Sequence, residues 1–162
     1  MYERLPIPDC PETLAFRAVV NVIRSDPTLR RLNVSLIVWD GSPQDLLEPV
    51  SSLLPFVEMQ PAPDGAGWSE ADQHRSDVGV DFTLAVKGTN ADDLLNLWGV
   101  VRTALFPDPA SSQRATIEAA MTSVGIYQGE LVRQPFQVVT LDSNTRMLVG
   151  EGRLKLRVNV NT

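Results

Sequence analysis

Between residues 78 and 87 apolar and polar side chains alternate. Val78, Val80, Phe82, Leu84 and Val86 share one parity, and Asp81, Thr83 and Lys87 share the other. A period of two predicts a β-strand with one apolar and one wet face, about 34 Å long at the usual rise per residue. The period then changes. Leu94, Leu95, Trp98, Val101 and Leu105 follow helical spacing, so a helix is expected over residues 91–105. Asn90 is placed to cap it, and Asp92 and Asp93 set negative charge against the positive end of its macrodipole. Phe106-Pro107 stops it. A second helix is expected over residues 113–124, with Ile117, Ala120, Met121 and Val124 inward and Gly125 as its stop.

The same logic divides the rest of the chain. Asp9, Pro11 and Glu12 read as a helix start with an Asp-x-x-Glu capping box. Leu14, Ala15, Ala18, Val19, Val22 and Ile23 supply the buried stripe of that helix, over residues 11–25, and Asp26-Pro27 ends or restarts it. Residues 33–39 are rich in Val, Ile and Leu and predict a strand buried on both faces. Asp40-Gly41-Ser42-Pro43 is a turn, and Ser42 is placed to cap a short helix carrying Leu46, Leu47 and Val50. Residues 56–60, trapped between Pro55 and Pro61, suit a short strand at an edge or a tight junction. Two closing strands are expected, one within residues 126–141 that Pro135 interrupts or bends, the other over residues 147–160. In the last strand Leu148, Leu154, Leu156, Val158 and Val160 share one parity, and Gly150 and Gly152 on that face imply a bulge or a close backbone approach. The expectation is an α+β fold, a mostly antiparallel sheet with helices on one face, in a single domain spanning residues 1–162.

Residues 61–77 turn to Pro, Gly, Ala and polar side chains, a long polar loop carrying Trp68 and His74. At about 17 residues it exceeds the usual connection. Trp68 there is either an anchor for a contact surface or a cap folded back on the core.

Composition narrows the classes of function. A chain of 162 residues with 43% hydrophobic and 21% charged side chains suits one folded globule. The net charge of −6 opposes the electrostatic footprint of a phosphate-backbone binder. The best basic cluster, Arg153, Lys155 and Arg157, alternates with Leu154, Leu156 and Val158. It reads as the solvated face of a half-buried strand ahead of a DNA-contacting stripe, and pairing with an acidic face of another subunit stays open. One cysteine, Cys10, leaves no intrachain disulfide and no multi-thiolate metal site, and suits a reducing compartment. No apolar run approaches the ~18 residues of a membrane span, and residues 1–8 carry no signal-peptide pattern.

Candidate chemistry is sparse. His74 is the sole histidine, with Glu70, Asp72 and Asp77 near it, whereas a mononuclear metal site usually takes two or more imidazole or thiolate ligands. Cys10 lies at a helix start that favours thiolate, but Asp9 and Glu12 oppose it. Asp92 and Asp93 point in different directions on one helical turn, which fits capping and not paired acid–base work. Gly65-Ala66-Gly67 and Gly150-Glu151-Gly152 lack the context of a phosphate cradle. The expectation is a protein that is not an enzyme and needs no cofactor.

The order of elements carries more than any motif. Asp81-Phe82-Thr83-Leu84-Ala85-Val86, then Asp93-Leu94-Leu95-Asn96-Leu97-Trp98, Leu105-Phe106-Pro107 and Gly125-Ile126-Tyr127 resemble the tail terminator (tail completion) proteins of long-tailed bacteriophages over nearly the whole chain. That resemblance implies a structural virion protein at the neck-proximal end of the tail, assembled in the host cytoplasm. It implies a homo-oligomer, a hexameric ring that caps the tail tube protein, stops its polymerisation and meets the head–neck connector. Double-stranded DNA would pass through the lumen without specific binding, and no membrane is involved. The candidate subunit-interface residues are Trp68, Asp77, Asp81, Arg153, Lys155 and Arg157. Two alternatives are another head–tail connector (head-completion or neck) protein and a small cytoplasmic ligand-binding domain.

Overall fold

The alternating segment extends further than its apolar parity and pairs along its whole length with the last strand of the chain. The structure, a computed structural model, describes residues 7–38, 54–62, 75–135, 137–140 and 146–159. In chain order the described elements are α1 (Pro11–Arg24), α2 (Pro27–Arg31), β1 (Ser35–Val38), β2 (Phe56–Pro61), β3 (Arg75–Lys87), α3 (Ala91–Leu105), α4 (Ser112–Ser123), β4 (Ile126–Arg133), β5 (Gln137–Thr140) and β6 (Arg146–Asn159). The fold is α+β, as the sequence predicts. The expected turn at Asp40–Pro43 and its following helix, and the loop residues Trp68 and His74, lie outside the described residues, as do Trp39 and Val160.

Strand order is β1-β2-β3-β6-β4, with β5 also paired to β6. Every pairing is antiparallel except β1 with β2. The thirteen residues of β3 match Met147–Asn159 of β6 without a register break. Pro135 acts as expected: β4 and β5 form one interrupted line along the other side of β6, and Gln134 N–H donates to the Glu151 carbonyl between them. The irregularity near Gly150 and Gly152 is not a bulge in β6. The bulge lies in β4, between Ile126 and Gln128.

The core sits between one face of this sheet and α1, α2 and α3. Val80, Phe82, Leu84, Leu154, Leu156 and Val158 meet Ala15, Val19, Ile23, Leu29, Leu94, Trp98 and Val101, all buried. At its centre the six-membered ring of Trp98 abuts the backbone of β6 at Gly152. A Cβ on Gly152 would stand 2.1 Å from Cη2 and 2.7 Å from Cζ3 of that indole, and 2.8 Å from the Val132 carbonyl. The close approach read from the sequence is therefore real, and its partner is Trp98. Burying an indole removes roughly 150–250 Å² from water, worth about 4–6 kcal/mol at about 25 cal/mol per Å².

Several expectations need correction. β1 is an edge strand whose four residues are all half-buried, and β2 is interior between β1 and β3. Its proline flanks suit an edge or a tight junction, but Pro61 closes β2 at its end and so removes no central ladder bond. The second face of β3 is not wet throughout, because Ala85 joins Phe56 and Met147 in a separate buried cluster. Asp9 does not cap α1. Cys10 takes that position without a side-chain capping bond, and Asp9 pairs instead with Arg17. Leu14 is 41% exposed and Leu95 40% exposed, their places in the stripes taken by Val20 and Leu97. α4 begins at Ser112, capped by Ser111, and none of its residues is fully buried.

Other local signals are confirmed. Asn90 accepts from the Asp92 N–H, and Asp26 accepts from the Leu29 N–H to restart the helix. Gly125 adopts φ +87°, where L side chains are strained, and a Cβ there would lie 2.7 Å from the Asn159 carbonyl oxygen. A glycine is required at that stop.

Gly152→Ala should cost about 1–3 kcal/mol in urea denaturation through overpacking. Adding Trp98→Phe removes the benzo atoms that the new methyl would meet, so the double mutant should lose less than the sum of the single losses. Strict additivity would show that the contact does not constrain the fold.

Candidate functional site

Five of the six candidate contact residues come together. Asp77 and Asp81 on β3, and Arg153, Lys155 and Arg157 on β6, share the sheet parity that faces away from the helices. The strand period dictates this, since their apolar neighbours of opposite parity fill the core. Trp68, the sixth, lies outside the described residues.

Register turns these residues into rows. Asp81 stands opposite Arg153, and Asp77 opposite Arg157. Lys155 faces Gly79 on one side and Glu130 on the other, while Arg157 faces Gln128 across β4. Arg153 grips Asp81 with both ends of its fork: Nε donates to Oδ1 at 2.7 Å and Nη2 donates to Oδ2 at 3.2 Å. Both side chains keep only about a quarter of their surface, 24% and 23%. The pair is therefore less screened than a rim pair, and its two-point geometry fixes orientation. The Arg153 guanidinium, for which pairing with another subunit stays open from the sequence, is thus bonded within its own chain.

Sequence reasoning missed Glu58, Gln60, Glu130 and Glu151, which lie on the same face. The signal existed, because Glu58 and Gln60 alternate with Val57 and Met59. Glu58 is flanked by Ile37 of β1 and Thr83 of β3, and burial pushes its carboxyl above the ordinary range. Glu12 behaves oppositely. Its backbone amide and then the Ser76 hydroxyl hold its carboxyl below the ordinary range, outweighing partial burial, and tie the start of α1 to β3.

Two grooves flank α4. The larger, about 720 Å³, runs between α1 and α4 over Leu14, Ala18, Val22, Ile117, Ala120 and Val124. The smaller, about 320 Å³, lies between α4 and β4, with Phe106 and Tyr127 among its walls. Among the described residues no cluster of three His, Cys, Asp or Glu side chains is placed to hold a metal ion, and no helix is long and apolar enough to cross a membrane. Cys10 is exposed and approaches the Thr13 hydroxyl at 3.3 Å. Neither protein-family models nor curated proteins give a match to this sequence. What the arrangement offers chemically is an ordered surface of alternating charge on one side of the sheet and apolar grooves on the other, the charged face suited to fixing the register of another protein surface.

Two measurements check these electrostatics. For Glu58 the raised folded pKa means that folding favours the protonated form. Its contribution is present below the ordinary carboxyl pKa and is lost as pH rises through the folded value. Glu58→Gln should therefore melt higher than wild type at pH 7, with the two curves converging at acid pH; a gap independent of pH would refute this assignment. For the fork pair, a double-mutant cycle of Asp81→Asn and Arg153→Gln should give a coupling of roughly 0.5–1 kcal/mol. A coupling of zero would reduce the pair to an incidental contact.

Proposed function

We propose that this chain is a ring-forming tail terminator of a long-tailed bacteriophage. Copies close into a hexameric ring on the tip of the tail tube, stop further addition of tube subunits, and present a surface to the head–neck connector. The protein acts by contact and not by catalysis. The observation that carries the reading is the helix-free face, where Asp77, Asp81, Arg153, Lys155 and Arg157 form cross-strand rows. It supports the likeness of element order and of the segments around Asp81, Asp93, Leu105 and Gly125 to that family.

Size supports the same reading. A domain of this length has a radius of gyration near ~15 Å, too compact to enclose a duplex alone, so a channel requires several copies. A head-to-tail interface closes such copies into a ring. The net charge of −6 suits a lumen along which DNA slides without being held.

The test is electron microscopy and native mass spectrometry of the purified protein with and without tail tubes. Rings should appear at tube ends, and tubes capped by them should cease to lengthen when tube protein is added. His74→Ala, Cys10→Ala and Asp92→Ala proteins should cap as wild type does. Binding to portal complexes in place of tube ends would reassign the protein to the head side, and a monomer that never meets a tube end at any concentration would end the reading.

A further inference from the structure

The sheet finishes on two strands that complement each other. β1 forms one end and β4 the other, and among the described residues each has a strand on one side only. β1 runs parallel to β2, and each following pair in the order reverses direction, so β1 and β4 run opposite ways. A second copy placed as a continuation of the sheet therefore sets its β1 antiparallel to β4, the stronger of the two pairings.

The edge of β4 carries the backbone groups for this. The Gln134 N–H bond to Glu151 shares its register with Gln128–Arg157, Glu130–Lys155 and Val132–Arg153. Those residues turn their backbone groups toward β6, which leaves Gly129 and Leu131 turning theirs outward. β1 contains Ser35, Leu36, Ile37 and Val38, all half-buried, and none of the charges or prolines that usually block an edge.

Side chains complete the match. Leu36 and Val38 stand opposite Val57 and Met59, which face the core, so they project to the helix side of the sheet, half-buried at the rim of their own core. On that side of β4 lies the 320 Å³ groove against α4, walled by Leu105, Phe106, Ile117, Met121, Tyr127 and Leu156. Phe106 and Tyr127 are large apolar side chains that remain 40% and 46% exposed. Tyr127 is the extra residue of the β4 bulge, which turns it out of the ladder.

We infer that the β4–α4 groove is the seat for β1 of a second copy of this chain, joined edge to edge by backbone hydrogen bonds with Leu36 and Val38 in the groove. Main-chain bonding along an edge with apolar anchors beside it is a recognised mode of strand addition. The interface is heterologous, with a different surface on each partner. This inference rests on the ring reading and names its contacts.

Val38→Lys spoils the inserted strand and Met121→Lys spoils the seat, by placing a charge in an apolar contact. Each alone should remain monomeric, with association weakened on the order of 100-fold. Mixed, they should form a one-to-one pair and nothing larger in native mass spectrometry, because only one intact seat meets one intact strand. Circular dichroism and thermal melting check that each variant folds, and Thr122→Glu at the exposed groove rim is the milder second variant. Hydrogen exchange on the wild-type protein needs no variant: amides of β1 and β4 should gain protection together on assembly while those of β3 stay unchanged. Folded variants that still close rings, or that fail to pair when mixed, overturn these contacts while leaving the ring standing. A wild-type monomer whose β4 amides become protected only on adding tube protein assigns the groove to that protein and overturns the second-copy assignment. A wild-type chain that neither self-associates nor binds tube ends removes the ring and this inference together.

Discussion

The contact of the Trp98 ring with the bare backbone at Gly152 sets how close α3 can come to the sheet. β6 is the strand to which β3, β4 and β5 all bond, so its distance from the helix layer fixes the depth of the core. A side chain at residue 152 would lift α3, and with it the cover over Leu154, Leu156 and Val158. Interiors pack like organic solids, so a local displacement is not absorbed by the surrounding side chains. The same contact explains why residue 152 is a glycine on a parity that also carries Leu148, Leu154, Leu156 and Val158.

Much of this was legible in the sequence because a strand buried on one face advertises itself. The parities of β3 and β6, the Asn90 cap, the Pro135 interruption and the close approach at β6 all follow from local periodicity or stereochemistry. Placement within the sheet was not legible. Whether a strand is central or at an edge depends on partners distant in sequence: β1, expected to be buried on both faces, is the edge, and β2, expected at an edge or a tight junction, is interior. The parallel pairing of β1 with β2 likewise has no local signature. Leu14 and Leu95 failed for a related reason: helical spacing gives a stripe of roughly the right width, but the packing partner chooses its borders.

The candidate face was legible in part. Asp81 and Arg153 are 72 residues apart, and only the register of β3 against β6 brings them opposite one another. Alternation alone placed Arg153, Lys155 and Arg157 on one side; it could not show that a carboxylate of the same chain already holds Arg153. The grooves beside α4 were not legible, since they arise from the spaces left between elements. Their nearest sequence signal was the weak apolar content of α4 itself.

That helix has a consequence for how the surface can change over generations. Its ends are fixed by hydrogen bonds: Ser111 caps one, Arg114 reaches the Pro107 carbonyl, and beyond the other Asn159 N–H donates to the Gly125 carbonyl. It rests on half-buried Ile117 and Met121, with Val124 just past its end, and contributes nothing to the fully buried core. Substitutions at its exposed positions, such as Gln113 and Thr116 on the larger groove and Thr122 on the smaller, fall in the class that usually costs within about 0.5 kcal/mol. Both flanking grooves can thus be reshaped by mutation while the sheet stays intact, and new partner preferences can evolve on α4 without passing through an unfolded ancestor.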